Sequence, residues 1–307
     1  MKHLFLCAAI VLFTGCASKN YDYLSTDKSI LESKKLSLAL YPQEEYFCGP
    51  SSMATLLNHQ HIDFIYGDVV GSTFTPDLKG TLQVEMKATA RRYGLIPYAI
   101  NPNLPSVLSE VSTNRPVLVL FNLGLPALPV WHYSVVTGFD KESKKVYLSG
   151  TKTHPTWMSF DEFETFFERA GSWAIVALKP PLLPVASSET EIIKAIVDMA
   201  EVGYKDAAKQ TAINYVSQHP LSFLGSVMLA NIHFNMKDYP NATAEYRRAL
   251  ILKPNDPVVL NNLAQSLLKE NKLYDAKLNA LAAVNAGGVF LVESQTTLEE
   301  INRKLKE

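Results

Sequence analysis

Pro220, Pro254 and Gly288 stand 34 residues apart, and the positions between them recur with the same step. Leu229 and Ala230 are followed one period later by Leu263 and Ala264. Ala242, Tyr246 and Ala249 are followed by Ala276, Ala280 and Ala283. One period earlier Ala208 and Ala212 keep the pattern, whereas Ile196 occupies a place that elsewhere holds a small residue. A fixed period of this length marks supersecondary units that cannot bury their apolar faces alone, so neighbours must stack into an array. Alanines at recurrent places let paired helices approach closely. The match is strong for 223–256, good for 257–288 and degenerate for 189–222. The C-terminal third of the chain is therefore expected to be an all-helical solenoid.

The period is that of the tetratricopeptide repeat, and the alanine pattern resembles that family. Such repeats bind peptides or partner proteins and carry no chemistry, so a protein partner is expected for residues 191–307. The remaining length leaves room for one further domain, at about 150 residues each. Lys and Arg total 29 against 30 Asp and Glu, so no basic excess exists to displace phosphate counterions, and no nucleic-acid partner is expected. A 47% hydrophobic content with a net charge of -1 argues equally against a disordered chain.

From about 36 to 180, short β-rich runs alternate with helical ones. Ser51–Asn58 reads as a helix with Pro50 at its first position. Thr81–Tyr93 is helical and Gly94–Ile100 strand-like. Val117–Phe121 is a buried strand candidate. Trp131–Phe139 and Lys145–Ser149 read as a hairpin closed around Asp140–Ser143. Phe160–Ala170 is a helix and Trp173–Leu178 the last strand. One helix before a run of strands is an α+β pattern. Residues 16–35 are polar and read as a tether, and Pro180-Pro181 with Ser187-Ser188 marks a linker over 181–190.

The three cysteines take separate readings. Met1-Lys2-His3, an apolar run from Leu4 to Phe13 and a small-residue exit describe an export signal over 1–15, too short to span a bilayer. Leu12-Phe13-Thr14-Gly15-Cys16 resembles the lipobox of bacterial lipoproteins, although Phe13 stands where an aliphatic residue is more usual. That resemblance implies a diacylated Cys16 as mature N-terminus and a membrane partner through the lipid. Ala17, in place of Asp, implies the outer membrane, facing the periplasm. Cys7 leaves with the signal, and the mature chain would keep Cys48 as its free thiol. Three cysteines without zinc-site spacing supply neither a disulfide scaffold nor a metal site, and no cofactor is expected.

Cys48 sits in Tyr46-Phe47-Cys48-Gly49-Pro50-Ser51, just before an apolar helical stretch. A thiol at a helix N-terminus feels the positive end of the macrodipole and unpaired backbone N–H groups, which predicts a lowered pKa. The same N–H groups can hold a developing oxyanion, and Gln43 is placed to add a side-chain donor. His132 falls in the strand Trp131-His132-Tyr133-Ser134-Val135-Val136. His59, His61 and His154 read as ordinary surface or loop residues. Glu44 and Glu45 read as solvated.

With Gln43, Cys48-Gly49-Pro50 and the His132 strand in this order, residues 36–180 resemble the papain-like peptidases of the bacteriocin-processing, double-glycine type. The resemblance implies Cys48 as nucleophile, His132 as general base and Gln43 in the oxyanion hole, acting on a protein or peptide substrate. Two departures stand out. Gln43 precedes Cys48 by five residues where six is common. The family's Asp, about sixteen residues after the His, has no counterpart, and Ser149 is the best-placed substitute for orienting the imidazole. Asp140 lies too near the hairpin turn for that role. The signal, the peptidase-like segment and the repeats together imply a lipid-anchored envelope hydrolase. A non-catalytic adaptor and a thiol acyltransferase are the alternatives.

Overall fold

The structure is a computed structural model that describes residues 19–39, 41, 46–149 and 156–307. The signal segment with Cys7 and Cys16, and also Gln43, Glu44, Glu45 and His154, lie outside the described residues. In chain order the first part comprises α1 (Tyr23–Thr26), β1 (Ser33–Lys35), α2 (Cys48–His59), α3 (Tyr66–Thr73), β2 (Phe74–Thr75) and β3 (Gly80–Thr81). It continues with α4 (Gln83–Arg92), β4 (Ile96–Ala99), α5 (Leu104–Ser112), β5 (Val117–Asn122) and β6 (Trp131–Asp140). β7 (Lys145–Leu148), β8 (Trp157–Ser159), α6 (Phe160–Arg169) and β9 (Ala174–Leu178) complete it.

Seven of the described strands form one antiparallel sheet in the order β4-β9-β5-β6-β7-β8, with β1 laid beside the far end of β6, while β2 and β3 pair with each other apart from it. β5 lies near its centre and is buried throughout. Val117, Val119 and Phe121 point into one apolar layer and Leu118 and Leu120 into the other, as side-chain alternation requires of a strand covered on both faces. α2, α3 and α4 cover the second face through Met53, Leu57, Val69 and Met86. α5 and α6 cover the first. α6 starts at Ser159, whose hydroxyl accepts from the Glu162 amide while the Glu162 carboxylate accepts from the Ser159 amide. Phe160, Phe163 and Phe167 then fall on one buried stripe.

The segment expected to be a tether is, over its described part, built into this domain. Tyr21, Leu24 and Ile30 are buried in the core, and β1 pairs with β6 from Ser33–Asp140 to Lys35–Gly138. The polar residues that suggested a tether alternate with these anchors. Gly138 makes the docking possible, since a Cβ there would lie 2.4 Å from the Lys34 carbonyl oxygen.

The C-terminal part is α7 (Glu189–Glu201), α8 (Lys205–Gln218), α9 (Phe223–Asn235), α10 (Tyr239–Leu252), α11 (Pro257–Lys269), α12 (Leu273–Ala286) and α13 (Leu291–Lys304). The first helix of each unit begins 34 residues after the last, and the second helices keep the same step. Ser188, Ser222 and Asp256 cap them at equivalent positions. Ala230, Ala242, Ala249, Ala264, Ala276 and Ala283 are wholly buried where helices cross.

The unit expected to be degenerate has the same helix boundaries as the others. Ile196, its one oversized residue, lies on α7, which packs on β4 rather than on a preceding repeat. A larger side chain fills the gap against the sheet. The 181–190 linker is likewise a docked strap. Leu183 and Ala186 are buried, and the buried Glu110 carboxylate accepts from the Val185 and Ala186 amides at 2.7 and 2.8 Å. Arg91 of α4 meets Asp198 of α7 at 2.6 Å. The Tyr204 hydroxyl donates to the Arg92 carbonyl at 3.2 Å. One apolar cluster runs from the sheet into α7, α8 and α9, so the two architectures share a core.

Candidate active site

α2 begins at Cys48, two residues before the proline expected to open it. Pro50 loses nothing by lacking an N–H, because first-turn amides have no helical acceptor. Gly49 is required by its surroundings. A Cβ there would lie 2.4 Å from Thr81 Oγ1 and 2.6 Å from Thr81 Cβ, so β3 rests on the first turn of α2 only because residue 49 has no side chain.

The thiol reaches β6. The Tyr133 amide donates to Cys48 Sγ at 3.5 Å, and the Tyr133 hydroxyl donates to the Thr81 carbonyl at 3.2 Å. The Tyr133 ring packs edge-on against Trp173. Tyr133 thus ties the helix start, β3 and the sheet together. Burial lifts its phenol well above the ordinary range, with the neighbouring Cys48 adding to the effect.

His132 immediately precedes Tyr133. It is buried and pairs with Phe121 across the β5–β6 ladder. Directly opposed residues share a face, so its Cβ stands on the Phe121 side of the sheet while Tyr133 faces α2. Strand amides lie in the plane of the sheet, so Sγ, on the Tyr133 amide, stands beside β6 rather than over one face, at the end of the strand that carries His132.

Burial pushes the Cys48 thiol above its ordinary value, and the amides of Tyr133, Gly49 and Cys48 pull it back only in part. The lowering expected from the helix N-terminus is overturned. The amides of the helix start pull in the anticipated direction, but the sheet removes the sulfur from water, and desolvation of the thiolate is the larger effect.

Ser149 follows β7, where its hydroxyl accepts from the Val135 amide at 2.8 Å and lies 3.3 Å from the Ser134 hydroxyl. Asp140 caps the β6–β7 turn by accepting from the Ser143 amide at 2.7 Å, which holds its carboxyl below the usual range. His59 Nε2 lies 3.0 Å from the Asn114 carbonyl. Among the described residues no group of three His, Cys, Asp or Glu side chains is arranged to hold a metal, and no helix is long and apolar enough to cross a membrane.

Residues 35–175 match the model of the Peptidase_C39 like family. The matched segment spans the α2 thiol, the sheet and the start of β9. Solved structures add further likenesses. A double glycine motif protease from an AMS/PCAT transporter, in complex with the leader peptide, is 19% identical, with a TM-score of 0.34, over 47% of this chain and 92% of its own. The type III secretion translocator chaperone SycD of Yersinia enterocolitica is 16% identical, with a TM-score of 0.36, over 38% of this chain and 83% of its own. The first TPR domain of human RPAP3 is 16% identical, with a TM-score of 0.34, over 37% and 89%. No curated protein matches the chain.

Around the thiol, Thr81 and the Tyr133 backbone could not be singled out by residue type or order. Gly49 was the available signal, since a glycine beside the thiol marks a close approach by another segment. The repeats present a concave surface, a groove of about 620 Å³ between α7, α9 and α11. Lys205, Asn231, Asn235, Asn262 and Gln265 line it together with Met228 and Tyr246. Side-chain amides over an apolar floor can hold an extended backbone by its N–H and C=O groups.

Proposed function

We propose that the protein is a lipid-anchored thiol hydrolase of the cell envelope, acting on peptide bonds with Cys48 as nucleophile and His132 as base. His132 takes the thiol proton as Sγ attacks the carbonyl carbon, then returns it to the leaving amine. Water releases the acyl group from sulfur. The Cys48 backbone N–H and the Gln43 side chain hold the oxyanion. Ser149 acts through the ladder, positioning β6 by way of Ser134 and Val135. Cys16 carries the lipid, outer-membrane attachment faces the body toward the periplasm, and the groove of the repeats takes an extended segment of the protein substrate or a partner.

The observation that carries this reading is the thiol at the first residue of α2, resting on the backbone amide next to His132. With its pKa raised, the thiol is a poor nucleophile at rest, so proton transfer during attack is the step His132 must supply. A peptidyl electrophile probe tests the assignment. Labelling should vanish in Cys48→Ala and slow by about 10²-fold or more in His132→Ala. Equal labelling of Cys48→Ala and wild type sinks it.

The raised thiol pKa and the engagement of the Ser149 hydroxyl in the ladder favour a second reading, a peptidase-like adaptor without turnover. Cells carrying Cys48→Ala would then keep full function.

A further inference from the structure

The connection between β5 and β6 reads Leu123-Gly124-Leu125-Pro126-Ala127-Leu128-Pro129-Val130, leading into Trp131, without a single charge. Residues 125–131 are all exposed, including Leu125 at 62%, Leu128 at 74%, Val130 at 54% and Trp131 at 55%. This tip is braced. Asn122 Oδ1 accepts from the Gly124 and Val130 amides, both at 3.0 Å. The Leu123 amide donates to the Val130 carbonyl, and the Leu128 amide to the Leu125 carbonyl. A Cβ on Gly124 would lie 2.3 Å from the Leu128 oxygen. A braced, uncharged apolar tip keeps its surface in water unless something covers it.

What lies beside the tip indicates the cover. Arg169, at the end of α6, donates to the Gly124 carbonyl at 3.1 Å. One residue earlier, Glu168 receives the Lys19 ammonium at 3.1 Å, and Glu164 receives it at 2.9 Å. Lys19 is three residues from Cys16, and three peptide links span at most about 11 Å. Beyond Lys19 there is no slack, because Tyr21, Leu24 and Ile30 are buried and β1 is paired. A lipid on Cys16 would thus emerge beside α6, whose far end touches the tip.

We propose that the Leu125–Trp131 tip docks on the surface of the bilayer to which Cys16 anchors the chain, with Leu125, Leu128 and Trp131 in the interfacial layer. The inference rests on the lipid-anchor reading above. A second apolar contact next to an acyl anchor adds buried apolar area and fixes how the body sits on the surface, and indole is the side chain best suited to the headgroup depth. Docking also sets the orientation of the body. Because Trp131 adjoins His132, the end of β6 that carries the candidate site is held at the membrane surface, within reach of peptide segments leaving the bilayer.

The test uses full-length lipidated protein in vesicles of phosphatidylethanolamine and phosphatidylglycerol, with and without brominated acyl chains. The fluorescence of wild type minus that of Trp131→Phe isolates the Trp131 emission. That emission should lose most of its intensity in brominated vesicles and recover in Leu125→Ser/Leu128→Ser, while the double variant still sediments with the vesicles through its lipid. Unquenched Trp131 in vesicle-bound protein whose N-terminal peptide has the mass of a lipidated cysteine overturns the docking alone. So does a Trp131 that is shielded only when an apolar peptide is added, which would make the tip a peptide-binding element. An N-terminal peptide without lipid overturns the anchor reading and the docking with it.

Discussion

Replacing Glu110 with alanine should loosen the joint between the sheet and the repeat array. The Glu110 carboxylate is fully buried and accepts from the Val185 and Ala186 amides, with Arg115 at 3.3 Å. Ala186 is buried, so its amide would be left unpaired at about 1–3 kcal/mol. Val185 is exposed, and water can replace its partner for roughly 0.5–1 kcal/mol. Arg115 is partly exposed, which screens its ion pair to under about 1 kcal/mol. Removing the carboxylate also removes its burial penalty, which offsets part of this. The net loss is about 2–3 kcal/mol, or roughly 4–12 °C in melting temperature for a folded unit of 150–250 residues. Calorimetry should show a lower midpoint and a broadened or divided transition as the array separates from the sheet. An unchanged midpoint with one sharp transition would refute the strap.

The pH dependence gives the same reasoning a second test. Burial lifts the Glu110 carboxyl above its ordinary value, against the lowering by the two amides and Arg115. The folded chain therefore holds that proton more tightly than the unfolded chain does. Stability of the wild type relative to Glu110→Gln should be greatest below the usual carboxylate range and decline as pH rises through the folded value. A difference that grows with pH would contradict it.

Alkylation of Cys48 by iodoacetamide should have a pH midpoint above that of the urea-unfolded chain, since burial disfavours the thiolate; a lower midpoint would restore the helix-dipole expectation. Gly49→Ala should cost about 1–3 kcal/mol by driving a Cβ into Thr81, and Thr81→Gly in the same chain should recover much of that in a thermal melt. Ala264→Leu should destabilise by a similar 1–3 kcal/mol through overpacking between helices. Leu278→Ala on the exposed side of α12 should stay within about 0.5 kcal/mol.

Much of the fold was legible because its signals are local. The 34-residue step is a packing rule written at fixed positions, and α7 through α13 follow it helix by helix. The β6–β7 hairpin was readable from its two β-rich runs and the Asp140–Ser143 turn between them. Cys48 and His132 could be singled out by residue type and order. The N-terminal segment and the 181–190 strap were misread because their polar composition hides a few anchors. Leu24, Ile30, Leu183 and Ala186 become informative only once a core exists to receive them.

The sequence by itself determined the repeat, the α+β order and the residues available for thiol chemistry, since each depends on periodicity or on chemical identity. Only the tertiary structure decided how acidic the thiol is, because desolvation depends on what covers Sγ, and Tyr133 comes from 85 residues away. It alone joined the two architectures through Glu110 and Arg91, and it alone brought both the apolar tip and Lys19 against α6. Proximity between distant segments is a property of packing, and no local pattern encodes it.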